Sequence, residues 1–281
     1  ALNMKFQCAS CAASLDIQSG VHEFSCVACG MRYSTGEKYL QYYPHHMLLE
    51  RFSEKYLRNR ILNNNAELVY RSGQGGSLST EDRNDVAAFS RFVLEQLQGK
   101  VLLDIGCGPL PLPAYLRGPR DAGLEIIGLD PIPSSDFEGF RVVGCSEFMP
   151  LPSKTIDTAI FATSLDHVVD LDTTLGETKR LLRNNGRVIV WMGDQYRPRW
   201  RRVLSYLKSR LRAIMAPYPD YRYKLFPPDV VVYVPTWAVD PFHSYHESPL
   251  HLFKVMEKHG FRRIAYEYRA KDEVFICFEA T

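Results

Sequence analysis

Four of the seven cysteines stand as two Cys-x-x-Cys pairs, Cys8 with Cys11 and Cys26 with Cys29, separated by 14 residues. Zn²⁺ takes four thiolates at tetrahedral angles, two from each tight turn, and this spacing is that of a zinc ribbon. Gly30 follows the second pair and permits the backbone reversal that such a knuckle needs. Four thiolates leave no open coordination position, so the expected Zn²⁺ is structural. The other three cysteines, Cys107, Cys145 and Cys277, lie singly downstream, which is not the distribution of a disulfide framework.

A second set of residues points to ligand binding. The apolar run Val101-Leu-Leu leads into Asp104, and Gly106 and Gly108 follow. Two glycines there let the backbone turn tightly against a ligand, and a helix expected from near Leu112 would turn its N-terminus toward polar or anionic groups. Asp130 ends the next apolar run, 26 residues after Asp104, where a carboxylate can accept both hydroxyls of a ribose. A dinucleotide fingerprint would want a third glycine where Pro111 stands. Farther on, Thr163-Ser-Leu-Asp166-His167 follows the fourth apolar run. His167 there is either a general base, with Asp166 or Asp170 nearby in sequence, or a residue that shapes the pocket.

These groups need a scaffold, and the hydrophobic periodicity supplies one. Residues 1–44 form the ribbon, with a short hairpin expected between the knuckles around Ser19-Gly20 and Phe24-Ser25. Helical spacing over 45–64 is expected to stop at Asn63-Asn64-Asn65, before the glycine-rich loop 71–77. Ser79–Asp82 offers caps for a helix running to about Leu97, completing a connector over 45–98. From residue 99 onward, five short apolar runs alternate with amphipathic stretches: Val101–Asp104, Glu125–Asp130, Phe140–Val143, Ile156–Phe161 and Gly186–Trp191. Thr173–Leu182 is one helix between them, and a helix (Leu250–Lys258) and two strands (Phe261–Tyr268, Val274–Phe278) close the chain. Strand–helix alternation builds a largely parallel sheet covered on both faces, so the fold class is α/β.

The motifs over 99–192, and more loosely 246–279, resemble the class I S-adenosylmethionine-dependent methyltransferases. Asp104-Ile-Gly106-Cys-Gly108 is similar to that family's first motif and Gly128-Leu-Asp130 to its second. Cys145–Pro152 with Thr155-Ile-Asp157 is similar to the third and fourth, and Arg180–Val188 to the turn into the fifth strand. The resemblance implies a Rossmann-like, mostly parallel seven-stranded sheet and S-adenosyl-L-methionine as cofactor. It implies that Asp104, Gly106 and Gly108 line the methionine and ribose side and that Asp130 grips the ribose. Cys145 stands where the family often has an Asp for the adenine amine, so the backbone around Ser146 and Glu147, together with Phe148, is expected to hold the adenine, and Thr163 is a further expected cofactor contact. Leu110 replaces the family's third glycine. In relatives the segment before the last helix reaches over the active site, which makes His243 and His246 second-choice bases. The ribbon is similar to the Trm-type ribbons that accompany methyltransferases. The order ribbon then methyltransferase resembles the bacterial ribosomal RNA guanine methyltransferases, although those favour His where Cys29 stands.

The acceptor is the least determined part. The chain has 281 residues, 46% hydrophobic and 23% charged, with a net charge of +2, which gives no strong global field for a polyanion. Within the insertion at 193–245, however, Asp194–Lys224 carries nine basic residues and two acidic ones. Trp200, Val203, Leu204, Leu207, Leu211 and Ile214 fall on one helical stripe there, with Arg opposite. That helix is a lid over a small-molecule pocket, a basic surface for RNA phosphates or an interfacial helix. No Asn/Asp-Pro-Pro-aromatic follows the fourth strand and no Pro-Cys nucleophile is present, which excludes two forms of nucleobase chemistry. No apolar run is long enough to span a bilayer and no signal-like segment opens the chain, so a cytoplasmic protein is expected. The leading expectation is a methyltransferase acting on a small molecule, such as a sugar or nucleotide-linked intermediate. The alternatives are an RNA guanine methyltransferase and a non-catalytic protein of the same fold. Oligomeric state is left open.

Overall fold

The computed structural model describes residues 5–17, 21–42, 44–71, 84–134, 136–193, 248–269 and 273–281. Two small hairpins lead. β1 (Phe6–Gln7) pairs with β2 (Ser14–Leu15) across the first cysteine knuckle, and β3 (Glu23–Ser25) pairs with β4 (Arg32–Thr35) across the second. Each hairpin therefore spans a knuckle, and the expectation of one hairpin between the knuckles is corrected. β5 (Tyr39–Tyr42) follows, then α1 (His45–Arg71) and α2 (Asn84–Gln96).

The alternating region comprises β6 (Val101–Ile105), a 3₁₀ turn (Ala114–Leu116), α3 (Arg117–Asp121), β7 (Glu125–Asp130), β8 (Phe140–Val143) and β9 (Ile156–Ala162). A second 3₁₀ turn (Leu165–His167), α4 (Leu171–Leu181), β10 (Leu182–Gly193), α5 (Pro249–Lys258), β11 (Phe261–Arg269) and β12 (Glu273–Ala280) complete it. The main sheet runs β11-β12-β10-β9-β6-β7-β8-β5-β4-β3. Its central strands β8, β7, β6, β9 and β10 are parallel, with β12 and β11 antiparallel at one edge. Those seven strands make the expected Rossmann-like sheet. The ribbon adds three more, because β5 pairs in parallel with β8 through Leu40 opposite Val142.

Alternate residues of the central strands feed two cores. On one face, Leu103, Ile127, Val188 and Ile276 pack with α4, α5 and the ribbon's Tyr33, Leu40 and Tyr42. On the other, Leu102, Ile126, Ile189 and Phe275 pack under Phe89 and Val93 of α2. Burial on both faces explains why these strands are continuous apolar runs. Asp157 pins the start of β6 by accepting the N–H groups of Lys100 (2.8 Å) and Val101 (2.9 Å) and pairing with Arg183 (2.7 Å). Asp170 caps α4 through the N–H of Thr173 (3.0 Å), and Ser248 caps α5 through that of His251 (3.2 Å).

Two helix boundaries differ from the sequence reading. α1 does not stop at the asparagines; it kinks at Ser53 (φ 30°) and continues to Arg71. Asn59 and Asn63 sit one turn apart, bonded to each other at 2.9 Å, and Asn59 also donates to the carbonyl of His167. Tertiary hydrogen bonds thus override weak helix propensity. The helix expected from Leu112 is reduced to the 3₁₀ turn and the five residues of α3. Pro109, Pro111 and Pro113 explain this, since each lacks an N–H and biases its predecessor away from the helical region. None of the described helices is long and apolar enough to cross a membrane. The insertion at 194–247 lies outside the described residues.

Candidate active site

A cavity of about 760 Å³ opens at the carboxyl ends of the parallel strands. Gly106, Cys107 and Gly108 after β6 form one part of its wall, followed by Asp130 at the end of β7, Gly144–Glu147 after β8, and Ala162–Ser164 with His167 after β9. Gly106 is required twice over. Its φ is +82°, and a Cβ there would lie 2.3 Å from the Cβ of Ser164. Thr163 also adopts a left-handed conformation (φ 56°), held by its N–H on the carbonyl of Trp191 (2.9 Å).

Asp130 accepts the N–H of Gly108 on Oδ2 and that of Ile132 on Oδ1, both at 2.8 Å. A carboxylate has about four acceptor positions, so two remain for ligand hydroxyls. Burial pushes its pKa above the ordinary value, opposed by Arg141 and these N–H groups. Arg141 of β8 is almost wholly buried and reaches beneath both loops. It donates to Cys107 Sγ (2.7 Å), to the carbonyl of Gly108 (2.8 Å) and to the carbonyl of Ile132, and lies 3.9 Å from Asp130 Oδ1. This residue ties the glycine turn to the second-strand turn. Its sequence signal is an arginine inside the apolar run Phe140-Arg-Val-Val.

Two of the expected cofactor residues, Asp104 and Phe148, are not in the cavity wall, while Ser146 and Glu147 line it with side chains bonded elsewhere. Asp104 is fully buried behind the wall, bonded by the Tyr115 hydroxyl (2.8 Å), and burial drives its pKa up to about 7. Glu147 lines the cavity, but its carboxylate accepts the N–H groups of Val169 (2.7 Å) and Asp170 (3.1 Å) and the Thr174 hydroxyl (3.2 Å), holding the start of α4. Ser146 similarly bonds Thr174 (2.9 Å). Phe148 is not in the wall; it packs on Phe52 of α1 with ring centroids 6.3 Å apart. The remaining expected contacts, Gly106, Gly108, Asp130 and Thr163, all face the cavity.

α1 supplies further polar lining with Tyr56, Asn59, Arg60, Asn63 and Glu67. His45 Nδ1 makes a short hydrogen bond with the Tyr56 hydroxyl. Burial, then the charges of Arg60 and His46, lower the His45 pKa below the ordinary histidine value. His167 lines the same cavity with Nε2 3.8 Å from Asp166 Oδ1, whereas Asp170 is committed to capping α4 and to Lys55 (2.8 Å). His243 and His246 lie outside the described residues.

The four cysteines Cys8, Cys11, Cys26 and Cys29 converge, with all sulfurs within 4.8 Å of one another. Cys8 and Cys29 are 3.5 Å apart and Cys11 and Cys26 3.6 Å. A Zn–S bond of about 2.3 Å implies a tetrahedral edge of about 3.8 Å, so this donor set fits Zn²⁺.

Residues 81–266, well over half of the chain, match the family model described as a methyltransferase domain. The chain belongs to this methyltransferase family. Among solved structures, the methyltransferase is similar to the 1,6-didemethyltoxoflavin-N1-methyltransferase of Burkholderia thailandensis, solved with 1,6-didemethyltoxoflavin and S-adenosylhomocysteine bound. The two share 13% identity over 91% of this chain and 98% of that one, with a TM-score of 0.54. It is also similar to a protein of Pyrococcus horikoshii OT3 (16% identity, 73% and 96% covered, TM-score 0.49). An S-adenosylmethionine-dependent methyltransferase of Methanosarcina mazei is a third (16%, 67% and 96%, TM-score 0.46). At 13% identity, the likeness to the Burkholderia thailandensis enzyme shows the fold. Comparison with curated proteins finds no match. The methyltransferase uses S-adenosylmethionine, and the cavity edge built from β6, β7 and β8 carries the glycine turn and the carboxylate that fit it.

Sequence reasoning missed α1 as a wall of the site. Its polar residues form no motif, and only the fold carries them to the cavity.

Proposed function

We propose that this methyltransferase acts on a small-molecule acceptor bearing several hydrogen-bonding groups, held between the glycine-turn edge and α1. The observation that carries this reading is the presence of two chemically different sets of lining residues in one cavity of about 760 Å³, within the range of small-molecule sites. Gly106, Gly108 and Asp130 hold the cofactor, which when bound presents a methyl group on a sulfonium to a nucleophile in line with it. Tyr56, Asn59, Arg60 and Asn63 orient the acceptor by hydrogen bonds, and Arg60 favours an acceptor with anionic character. Positioning of this kind supplies much of the rate in a displacement that needs alignment above all.

For a hydroxyl acceptor, a base must also remove the proton. His45 suits that task, since its lowered pKa keeps it neutral at pH 7 and the Tyr56 hydroxyl fixes its ring. His167, beside Thr163 and Ser164, is the second candidate. Zn²⁺ on Cys8, Cys11, Cys26 and Cys29 is structural in this reading. The RNA alternative rests on the four-cysteine ribbon and on the basic stretch within 194–224, and that stretch lies outside the described residues.

The test is incubation of the purified full chain with methyl-labelled S-adenosylmethionine and either a desalted low-mass cell extract or total RNA. Label in the low-mass fraction, reduced at least tenfold by Asn59→Ala with Arg60→Ala, is the expected outcome. Label in RNA, with none in small molecules, overturns the reading.

A further inference from the structure

The ribbon does more than append a metal to the chain. β5 lies against β8, the strand that feeds the loop Gly144-Cys145-Ser146 on the cavity wall. Tyr42 ends β5 and inserts its ring where Gly144 has no side chain; a Cβ at Gly144 would lie 1.8 Å from that ring. The Tyr42 hydroxyl donates to the carbonyl of Cys145 (2.6 Å) and accepts that residue's N–H (2.9 Å). Both main-chain groups of one wall residue are thus held by a single ribbon side chain, buried to 2% exposure.

The same arrangement recurs at the metal end. Tyr33 of β4, also 2% exposed, donates its hydroxyl to Cys8 Sγ (3.2 Å) and accepts the N–H of Ala9 within the first knuckle (2.8 Å). The Tyr33 and Tyr42 rings stack with centroids 6.2 Å apart and planes at 30°. Phe6 of the first hairpin stacks on Phe140 at the start of β8 (5.1 Å), a second buried link between the ribbon and that strand. A continuous set of close-packed groups therefore runs from the four cysteines to the cofactor side of the cavity, and close-packed interiors transmit displacement instead of absorbing it.

We propose that Tyr42 is a positioning residue for the cofactor and that the four-cysteine metal site, acting through Tyr33 and Tyr42, sets cofactor affinity. Loss of the metal frees the Cys8 knuckle, releases Tyr33 and loosens the Tyr42 clamp on Cys145. The wall loop then samples conformations that do not match the cofactor, and apparent affinity falls by the fraction of competent protein. The inference holds for any acceptor, small or polymeric, and concerns binding of the cofactor alone.

The experiment measures S-adenosylhomocysteine affinity by calorimetry on the full chain, together with zinc content and circular dichroism. Tyr42→Phe keeps the ring beside Gly144 and removes both hydrogen bonds to Cys145. It is expected to weaken S-adenosylhomocysteine roughly tenfold, the scale of one or two lost hydrogen bonds, while zinc stoichiometry stays at that of the parent. Tyr39→Phe, on the same strand with its side chain exposed, is the control and leaves affinity unchanged. Removing zinc from the parent with a chelator is expected to weaken binding by a similar factor, and the same treatment of Tyr42→Phe to add little, because the link is already cut. Parent-like affinity in Tyr42→Phe overturns the positioning role. A chain that neither carries nor takes up zinc overturns the metal link, as does zinc-free protein with native circular dichroism and unchanged affinity.

Discussion

Gly106→Ala is the sharpest perturbation of the cofactor edge, and its size can be worked from the structure. A left-handed φ of +82° costs a residue with a Cβ about 1–2 kcal/mol. The added methyl would also stand 2.3 Å from the Cβ of Ser164, an atom fixed to the main chain that cannot rotate away. Relief requires the 163–165 turn to move, which sacrifices the Ser164 hydroxyl's hydrogen bond to the carbonyl of Ile105, about 1 kcal/mol. The total is about 2–3 kcal/mol, divided between stability and S-adenosylhomocysteine affinity according to how far the turn yields. Urea unfolding and calorimetry on the same samples read both shares. Ser164→Gly removes the clashing carbon, so the double variant should lose less than the sum of the single ones, with a coupling of about 1 kcal/mol, the hydrogen bond that both single variants lose. Strict additivity, or a Gly106→Ala protein within about 0.5 kcal/mol of its parent in both assays, would refute the reasoning.

Asp104 titrates near 7 when folded against 3.8 as a free carboxyl, so the folded form keeps its proton between those values and the unfolded form does not. Stability from this group is complete below about pH 4 and is lost as pH rises through 7. Asp104→Asn should flatten that decline by about 3 kcal/mol between pH 5 and 8, measured by urea unfolding. Asp130→Asn replaces an acceptor by a donor facing the N–H of Gly108 or Ile132, and S-adenosylhomocysteine affinity should fall at least tenfold by calorimetry. Arg141→Met removes the charge that opposes the upward shift of Asp130. The protein should lose about 3 kcal/mol, and the pH midpoint of cofactor binding should move upward, because the carboxylate then forms only at higher pH. Asn59→Ala abolishes the bond to the His167 carbonyl and should raise the acceptor KM with little change in S-adenosylhomocysteine affinity.

How much was legible in the sequence divides along a physical line. The four-cysteine cluster, the glycine turn and Asp130 were readable because each is local: a metal knuckle, a left-handed turn and the end of a buried strand are dictated by neighbours a few residues away. The alternation of apolar runs likewise specified the parallel sheet, since strands buried on both faces leave a continuous apolar signature. The prolines at 109, 111 and 113, which shorten the helix after the turn, are local features of the sequence as well. What only the tertiary structure decided are the long-range partners. Phe148, expected at the adenine, packs on Phe52 of α1, and the Glu147 carboxylate holds the start of α4. Arg141 joins two loops, Asn59 reaches His167 across 108 positions, and Tyr42 reaches Cys145 across 103. No periodicity or spacing encodes such pairs, because they depend on which faces meet once the sheet has closed. The opening cysteines illustrate both halves. Their type and spacing specify a metal knuckle, while the pairing of β5 with β8 decides that the ribbon becomes part of the cavity wall.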